Sequence, residues 1–367
     1  MNAVAAVVLV TFLLSYALDM AAGILNVRNI RDELPEGFED AYDPERYRRS
    51  QAYLKANTRL GWVVDSVHLA AFLVFWFSGG FAWLDAWVRS FGWGTVPTGL
   101  IFVAALAAMR FLVGLPFNVY AVFVIEERFG FNRTDMKTFV LDRIKGLLLG
   151  VAVGMPLLAG ILAFFEYAGE DAWWWCWLAV SLFSLALQYI APTYIMPLFN
   201  RFEPLEEGEL KTAILDYARR VGYPVGSLFV MDGSKRSSKG NAFFAGFGRN
   251  KRIALFDTLI AQHTTEELVA ILAHEIGHYK KRHVQQGMLI SILHAGVMFY
   301  LLSFFIAYPG LFEAFHMERA SVYGGMVFFA MLFAPVDLFL GMLLQMRSRR
   351  NEYAADRFAA ETTGRPG

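Results

Sequence analysis

Seven stretches of the chain are apolar over about 20 residues or more, the length a helix needs to cross a bilayer core. They run approximately 3–26, 61–88, 97–124, 145–168, 173–198, 284–308 and 321–346. No basic residue precedes the first, so it reads as a retained span rather than a cleaved leader. Several stretches carry a polar interruption: Asp65 and His68 in the second, Arg110 in the third, His294 in the sixth and Asp337 in the seventh. An ionised side chain at mid-membrane costs about 2.5–3.5 kcal/mol, so each must face protein or water, pair with another, or reach the interface.

Between the fifth and sixth stretches the pattern changes. From Asn200 to His283 polar and apolar positions mix, and most of the chain's charge outside the spans collects here. Glu206 to Val221 reads as a helix, and Ser227 to Met231 as a strand. Asn241 to Gly248 and Ile253 to Phe256 read as two further strands, joined by a turn at Arg249-Asn250-Lys251. Thr264 then opens a long helix, with Glu267 three residues on completing a capping-box pattern. The chain therefore divides into a five-span membrane domain (1–199), an α+β segment (200–283), spans six and seven (284–346) and a C-terminal helix (347–367). The predicted fold class is a mainly α membrane protein with seven transmembrane helices. Its small cytoplasmic α+β domain is inserted between spans five and six.

Composition supports this. Apolar residues make up 56% of the 367 and charged residues 18%, against about 45–50% and 25% in a soluble domain. That excludes a disordered chain. Basic and acidic residues balance at 33 each, which removes a whole-chain electrostatic case for nucleic-acid binding. The single cysteine, Cys176, can form neither an internal disulfide nor a cysteine-rich metal site. Lys and Arg crowd the loops after spans one, three and five and the tail after span seven, whereas the intervening loops are poor in them. The positive-inside rule then puts the N-terminus outside and the α+β segment on the cytoplasmic side. The expected setting is multi-pass in a bacterial inner membrane or the endoplasmic reticulum, with membrane lipid as a partner.

The helix opened by Thr264 carries His274-Glu275-Ile276-Gly277-His278, an H-E-x-x-H motif. Residues four apart share a helical face, so both imidazoles can bind one zinc ion. Glu275 beside them can act as general base on a zinc-bound water. Leu268, Leu272 and Ile276 give the helix an apolar face, and Gly277 permits another element to come close. A catalytic zinc site wants three protein ligands and one open position. His283, five residues past His278, is expected to turn away from the two-histidine face; His263 precedes the cap and His294 lies deep in span six. Glu352 and Asp356, four apart after span seven, share a face: one can bind the ion while the other orients a histidine or its water.

These residues, taken with several others, resemble the Ste24-type CAAX prenyl proteases, which are integral-membrane zinc metallopeptidases. The resemblance covers nearly the whole chain. It includes Tyr47-Arg48-Arg49-Ser50-Gln51, Phe123 to Asn132, Met196 to Asn200 and Asp232 to Ser238. It continues through Asn241-Ala242-Phe243-Phe244, Ile253 to Leu259, the His274–His278 motif and Arg349 to Tyr353. It implies that His274, His278 and Glu352 bind one zinc ion per chain and that Glu275 is the catalytic base. Asp356 then matches a second carboxylate, a proton donor or a partner of a ligand. The resemblance also implies a zincin-like domain and seven helices enclosing an intramembrane chamber, which Asp65, Arg110 and Asp337 would line unless they pair with one another or reach the interface.

The expected activity is metalloendopeptidase cleavage of an extended peptide; the family name implies a prenylated CAAX C-terminus, and an unmodified or misfolded membrane protein is the alternative substrate. The run from Asn241 to Gly248 has the alternation of an exposed edge strand to which such a peptide can be added. Asn241, Ala242 and Phe243 are the candidate substrate-binding positions, the resemblance pointing to the first two. In the family the chain continues to a histidine and an arginine thought to hold the substrate or its oxyanion. This sequence, ending at Gly367, contains no counterpart of them. The competing reading is a non-enzymatic transporter or scaffold with a structural metal site. Nothing in the sequence specifies an oligomeric state.

Overall fold

The computed structural model describes residues 1–31, 33–34, 43–245 and 252–364. Seven of its helices are long and apolar enough to cross a membrane. The long helices are α1 (Ala3–Arg28), α2 (Pro44–Phe77), α4 (Thr95–Tyr120), α5 (Met136–Tyr167), α6 (Ala172–Ile190), α10 (His283–Phe305) and α12 (Val322–Thr363). Short helices α3 (Gly80–Arg89), α7 (Glu209–Arg220), α8 (Asp257–Gln262), α9 (Thr265–Lys280) and α11 (Pro309–Ala314) lie between them. The strands are β1 (Phe202–Pro204), β2 (Ser227–Met231), β3 (Ala242–Ala245) and β4 (Arg252–Phe256).

Three expectations need correction. The second apolar stretch is not one helix to residue 88. The chain stops at Phe77, turns through Gly79 at φ 78, and restarts as α3. A left-handed φ is costly for any residue with a side chain, and glycine supplies it. Span seven and the C-terminal helix are not separate elements either. Val322–Thr363 is one helix of 42 residues, about 63 Å at 1.5 Å per residue, roughly twice a bilayer core. Finally, β1 and α8 went unpredicted. At three and six residues they are too short to show a period. The expected turn at Arg249–Lys251 lies outside the described residues.

The molecule divides into two compact units. The first comprises Met1–Asn132, Val153–Trp173 and Met298–Phe339. Its core is aromatic: Phe315 stacks on Phe328 at 4.1 Å and on Trp76 at 4.9 Å. The Trp76 indole donates to the carbonyl of Ala314 at 2.7 Å. Buried Asp85 accepts from Arg89 Nε at 2.8 Å and from the Tyr323 hydroxyl. Arg49 donates to the carbonyl of Phe129 and Tyr53 to Glu126 at 2.7 Å, so the helix after the first loop is tied to the end of the third span.

The second unit comprises Arg133–Ala152, Trp174–Val297 and Leu340–Gly367. Its four-stranded sheet has the order β1-β2-β4-β3. β2 and β4 are parallel, pairing Ser227 with Arg252 through Met231 with Phe256. The outer pairs are antiparallel, and β3 is an edge strand. One face of the sheet packs on α7 and α9. Ile214, Leu228, Ile253, Leu255, Leu268, Leu272 and Ile276 form that core. Leu268, Leu272 and Ile276 are the apolar face of α9 read from the sequence, and Ala273 joins them in this core.

A polar web holds the sheet's connecting loop. Arg236 donates to both carboxylate oxygens of Asp142 on α5, at 2.7 and 2.9 Å. It also donates to Asn200 Oδ1 and to the carbonyl of Phe199, each at 2.7 Å. Asp257, at the start of α8, accepts from the backbone of Ser234 at 2.8 Å and from its hydroxyl. Asp232 accepts from the backbone of Arg201 at 2.7 Å. Hydrogen bonds to charged groups contribute about 1.5–3 kcal/mol each. Arg236→Ala is therefore expected to lower unfolding stability by at least about 2 kcal/mol. Arg236→Lys should not restore it, because an ammonium cannot make the planar two-pronged contact. Denaturation in detergent, followed by tryptophan fluorescence, measures both.

Candidate active site

α9 presents the histidines. Thr264 caps it: its hydroxyl accepts from the backbone of Glu267 at 3.3 Å, and the Glu267 carboxylate accepts from the backbone of Thr264 at 2.8 Å. Leu268, Leu272 and Ile276 press the helix onto the sheet, which leaves His274, Glu275 and His278 on the remaining surface. α12 crosses here. A Cβ on Gly277 would stand 3.0 Å from the Cα of Ala355 and 3.1 Å from its carbonyl oxygen. Ala355 itself is fully buried. The two backbones meet because neither residue has bulk.

That contact sets the carboxylates of α12 against the imidazoles of α9. Glu352 Oε2 lies 3.3 Å from His274 Nε2 and 3.5 Å from His278 Nε2. The two Nε2 atoms are 3.1 Å apart. The donor atoms of His274, His278 and Glu352 thus converge on one point. An ion with tetrahedral geometry and bonds of about 2.0–2.1 Å holds its ligands roughly 3.3 Å apart. The three separations bracket that value, so the trio fits such an ion with one position left over.

The rear of each imidazole is also engaged. Asp356 Oδ1 lies 2.7 Å from His274 Nδ1. His278 Nδ1 lies 3.0 Å from His283 Nδ1. This corrects the expectation that His283 turns away. α9 ends at Lys280, and Arg282 adopts φ 57 before α10 begins at His283. The reversal swings His283 back beside His278. A positive φ at a non-glycine residue is uncommon, and Lys280-Lys281-Arg282 gives no sign of it, so only the folded chain could reveal the pair.

Glu275, between the histidines, is half-buried. Burial pushes its carboxyl above the ordinary value; His274 and His278 pull it down, and the Glu352 carboxylate pushes with burial.

The candidate substrate positions behave differently from one another. Asn241 precedes β3, and its carbonyl accepts from the backbone of Phe256 at 2.9 Å. Ala242 and Phe244 pack toward the core shared with α9. Phe243 points to the other sheet face, its ring 6.2 Å from Phe202. Asn241 and, two residues on, Phe243 turn their backbone groups toward β4, so a peptide added to the β3 edge would meet the backbone of Ala242 and Phe244.

A set of membrane-length helices joined to a cluster of two histidines and a glutamate is the layout of a membrane metallopeptidase. Residues 23–201 match the family described as CAAX prenyl protease N-terminal, five membrane helices, and residues 204–367 match peptidase family M48. CAAX prenyl protease 1 of Saccharomyces cerevisiae is 35% identical over 354 residues, covering 89% of this chain and 78% of the relative. The Dictyostelium discoideum homologue is 32% identical, with 90% and 79% covered. The crystal structure of S. mikatae Ste24p superposes with a TM-score of 0.90 at 31% identity, covering 98% of this chain and 89% of that one. The chain belongs to the CAAX prenyl protease 1 family and is a multi-pass integral membrane protein.

Two outcomes follow from the geometry. Gly277→Ala forces α9 and α12 apart. Overpacking of this kind costs about 1–3 kcal/mol, more than the roughly 1 kcal/mol that alanine returns in helix propensity. Lower thermal stability and weaker metal retention are both expected, read by melting in detergent and by metal analysis after dialysis. The second concerns pH. A carboxyl raised in the folded state contributes stability below its unfolded pKa and loses it as pH rises through the folded value. The metal-free Glu275→Gln protein should therefore melt higher than the metal-free parent at pH 7, with the gap closing toward pH 4.

Proposed function

We propose that this protein is a zinc-dependent endopeptidase that hydrolyses extended peptides within or beside the membrane, on the cytoplasmic side. The observation that carries the reading is the convergence of His274, His278 and Glu352, with Glu275 on the same helical turn. Two imidazoles and a carboxylate are a donor set suited to zinc, which prefers nitrogen and oxygen ligands in a tetrahedron. Bound there, zinc would supply a Lewis acid that polarises the scissile carbonyl and makes a water acidic near neutral pH.

The chain's own residues divide the remaining work. Glu275 takes the proton from the attacking water at a carboxylate oxygen, and its partial burial keeps that carboxylate from being stabilised by bulk solvent. Asp356 accepts from His274 Nδ1–H and so holds the ring with Nε2 facing the ion. The edge of β3, where the register turns the backbone of Ala242 and Phe244 outward, binds the substrate backbone in extended form, with Asn241 and Phe243 flanking those positions. The substrate class is the C-terminal segment of a prenylated peptide, supported by the names of the relatives. The cytoplasmic side is supported by the Lys and Arg bias of the loops.

Zinc content and peptide cleavage measured together test the reading. The purified protein should hold about one zinc per chain and cleave a farnesylated CAAX peptide. Glu275→Gln should keep the zinc and lose about 10²–10⁴ in rate, the usual worth of a general base. A parent without zinc, or a variant that cleaves at the parent's rate, would overturn it.

A further inference from the structure

We infer that His283 is a positioning residue for the metal centre: it receives the Nδ1 proton of His278 and thereby fixes that ring's tautomer and direction. The inference rests on the zinc reading above, and it adds a residue that the ligand set does not contain. The geometry is specific. His278 turns Nε2 toward His274 Nε2, 3.1 Å away, and toward Glu352 Oε2, 3.5 Å away. Its other nitrogen faces His283 Nδ1 at 3.0 Å. The two rings meet edge to face, with centroids 5.0 Å apart and planes at 75°.

A ligand imidazole must be neutral and must present a bare nitrogen. If Nε2 of His278 is bare, Nδ1 carries the hydrogen and needs an acceptor. His283 Nδ1 is in place to be that acceptor, with its own hydrogen on Nε2. The two ligand histidines are then held in the same way from behind, His274 by the Asp356 carboxylate and His278 by a neutral imidazole. A carboxylate makes its ring the more electron-rich ligand; an imidazole fixes direction without adding charge beside Glu352 and Glu275. The position also ties site assembly to the membrane helix. His283 is the first residue of α10, and the reversal at Arg282 is what brings it level with His278.

Partners of metal-ligating histidines are typically worth 10–100-fold in metal affinity. Two variants separate this role from a packing role. His283→Asn keeps an acceptor oxygen where Nδ1 stood; His283→Leu fills similar space without one. Zinc affinity is measured by competition with a chromophoric chelator, on full-length protein in detergent. The absorption spectrum of the cobalt-loaded protein and the melting temperature of the metal-free protein accompany it. The expected result is about 10–100-fold weaker zinc binding and an altered cobalt spectrum for His283→Leu. His283→Asn should lie close to the parent in both, and all three metal-free proteins should melt alike. Equal zinc affinity in the parent and His283→Leu would overturn the proposal, as would an asparagine variant no better than leucine. A parent that binds no zinc would overturn the metal reading beneath it, and this proposal with it.

Discussion

The close approach of α9 and α12 at Gly277 is the constraint on which the site depends. Two helices with ordinary side chains at their crossing keep their axes about 8–10 Å apart. Here one partner has no Cβ and the other is alanine, and the Cβ that Gly277 lacks would stand 3.0 Å from the Cα of Ala355. Everything around the cluster sits within one turn of that point. His274 and His278 flank Gly277, while Glu352 and Asp356 flank Ala355. Phe358, one turn further along α12, packs against the α7–α9–sheet core, and Thr362 accepts or donates to the Tyr217 hydroxyl at 2.6 Å. The C-terminal turns of α12 are thus anchored by packing, and the carboxylates are delivered by that anchoring.

The rest of the second unit keeps α9 in place. Its apolar stripe is buried against β2 and β4, whose parallel pairing requires a crossover. The crossover between them carries the Asp232–Ser238 loop, and Arg236 in that loop fastens it to Asp142, Phe199 and Asn200. The same crossover places β3 at the sheet edge, and among the described residues no strand pairs its outer side. Several residues that the family resemblance singled out therefore have structural work in this chain. Asn200, Asp232, Ser234, Arg236 and Asp257 hold loops by hydrogen bonds, and Arg49 holds the end of the third span.

Much of this was legible in advance. Long apolar runs announce membrane helices because a lipid-exposed backbone must satisfy its own hydrogen bonds, so the count of seven was readable. The capping box, the apolar stripe of α9 and the strand from Ser227 to Met231 follow local rules and appear where those rules put them. Local rules failed where conformation turned on one or two residues. Ser78-Gly79-Gly80 interrupts a run whose hydropathy continues, so hydropathy alone joined α2 to α3. The reversal at Arg282 has no glycine to mark it, so the helical wheel sent His283 to the wrong side. β1 is too short for alternation to register.

Sequence spacing alone determined that His274, Glu275 and His278 share one helical surface, and that Glu352 and Asp356 share another, because 3.6 residues per turn leaves no other arrangement. It determined which stretches are apolar enough to leave water. It left open which carboxylate faces the histidines and which stands behind them, since residues four apart are equivalent on a helix viewed by itself. The tertiary structure decided that: the angle and closeness of α12 against α9 put Glu352 at both Nε2 atoms and Asp356 at His274 Nδ1. The same packing decided that His283 closes the other side. These are contacts across as many as 82 residues of chain, and only the burial of side chains between helices, not the propensity of either helix, sets their register.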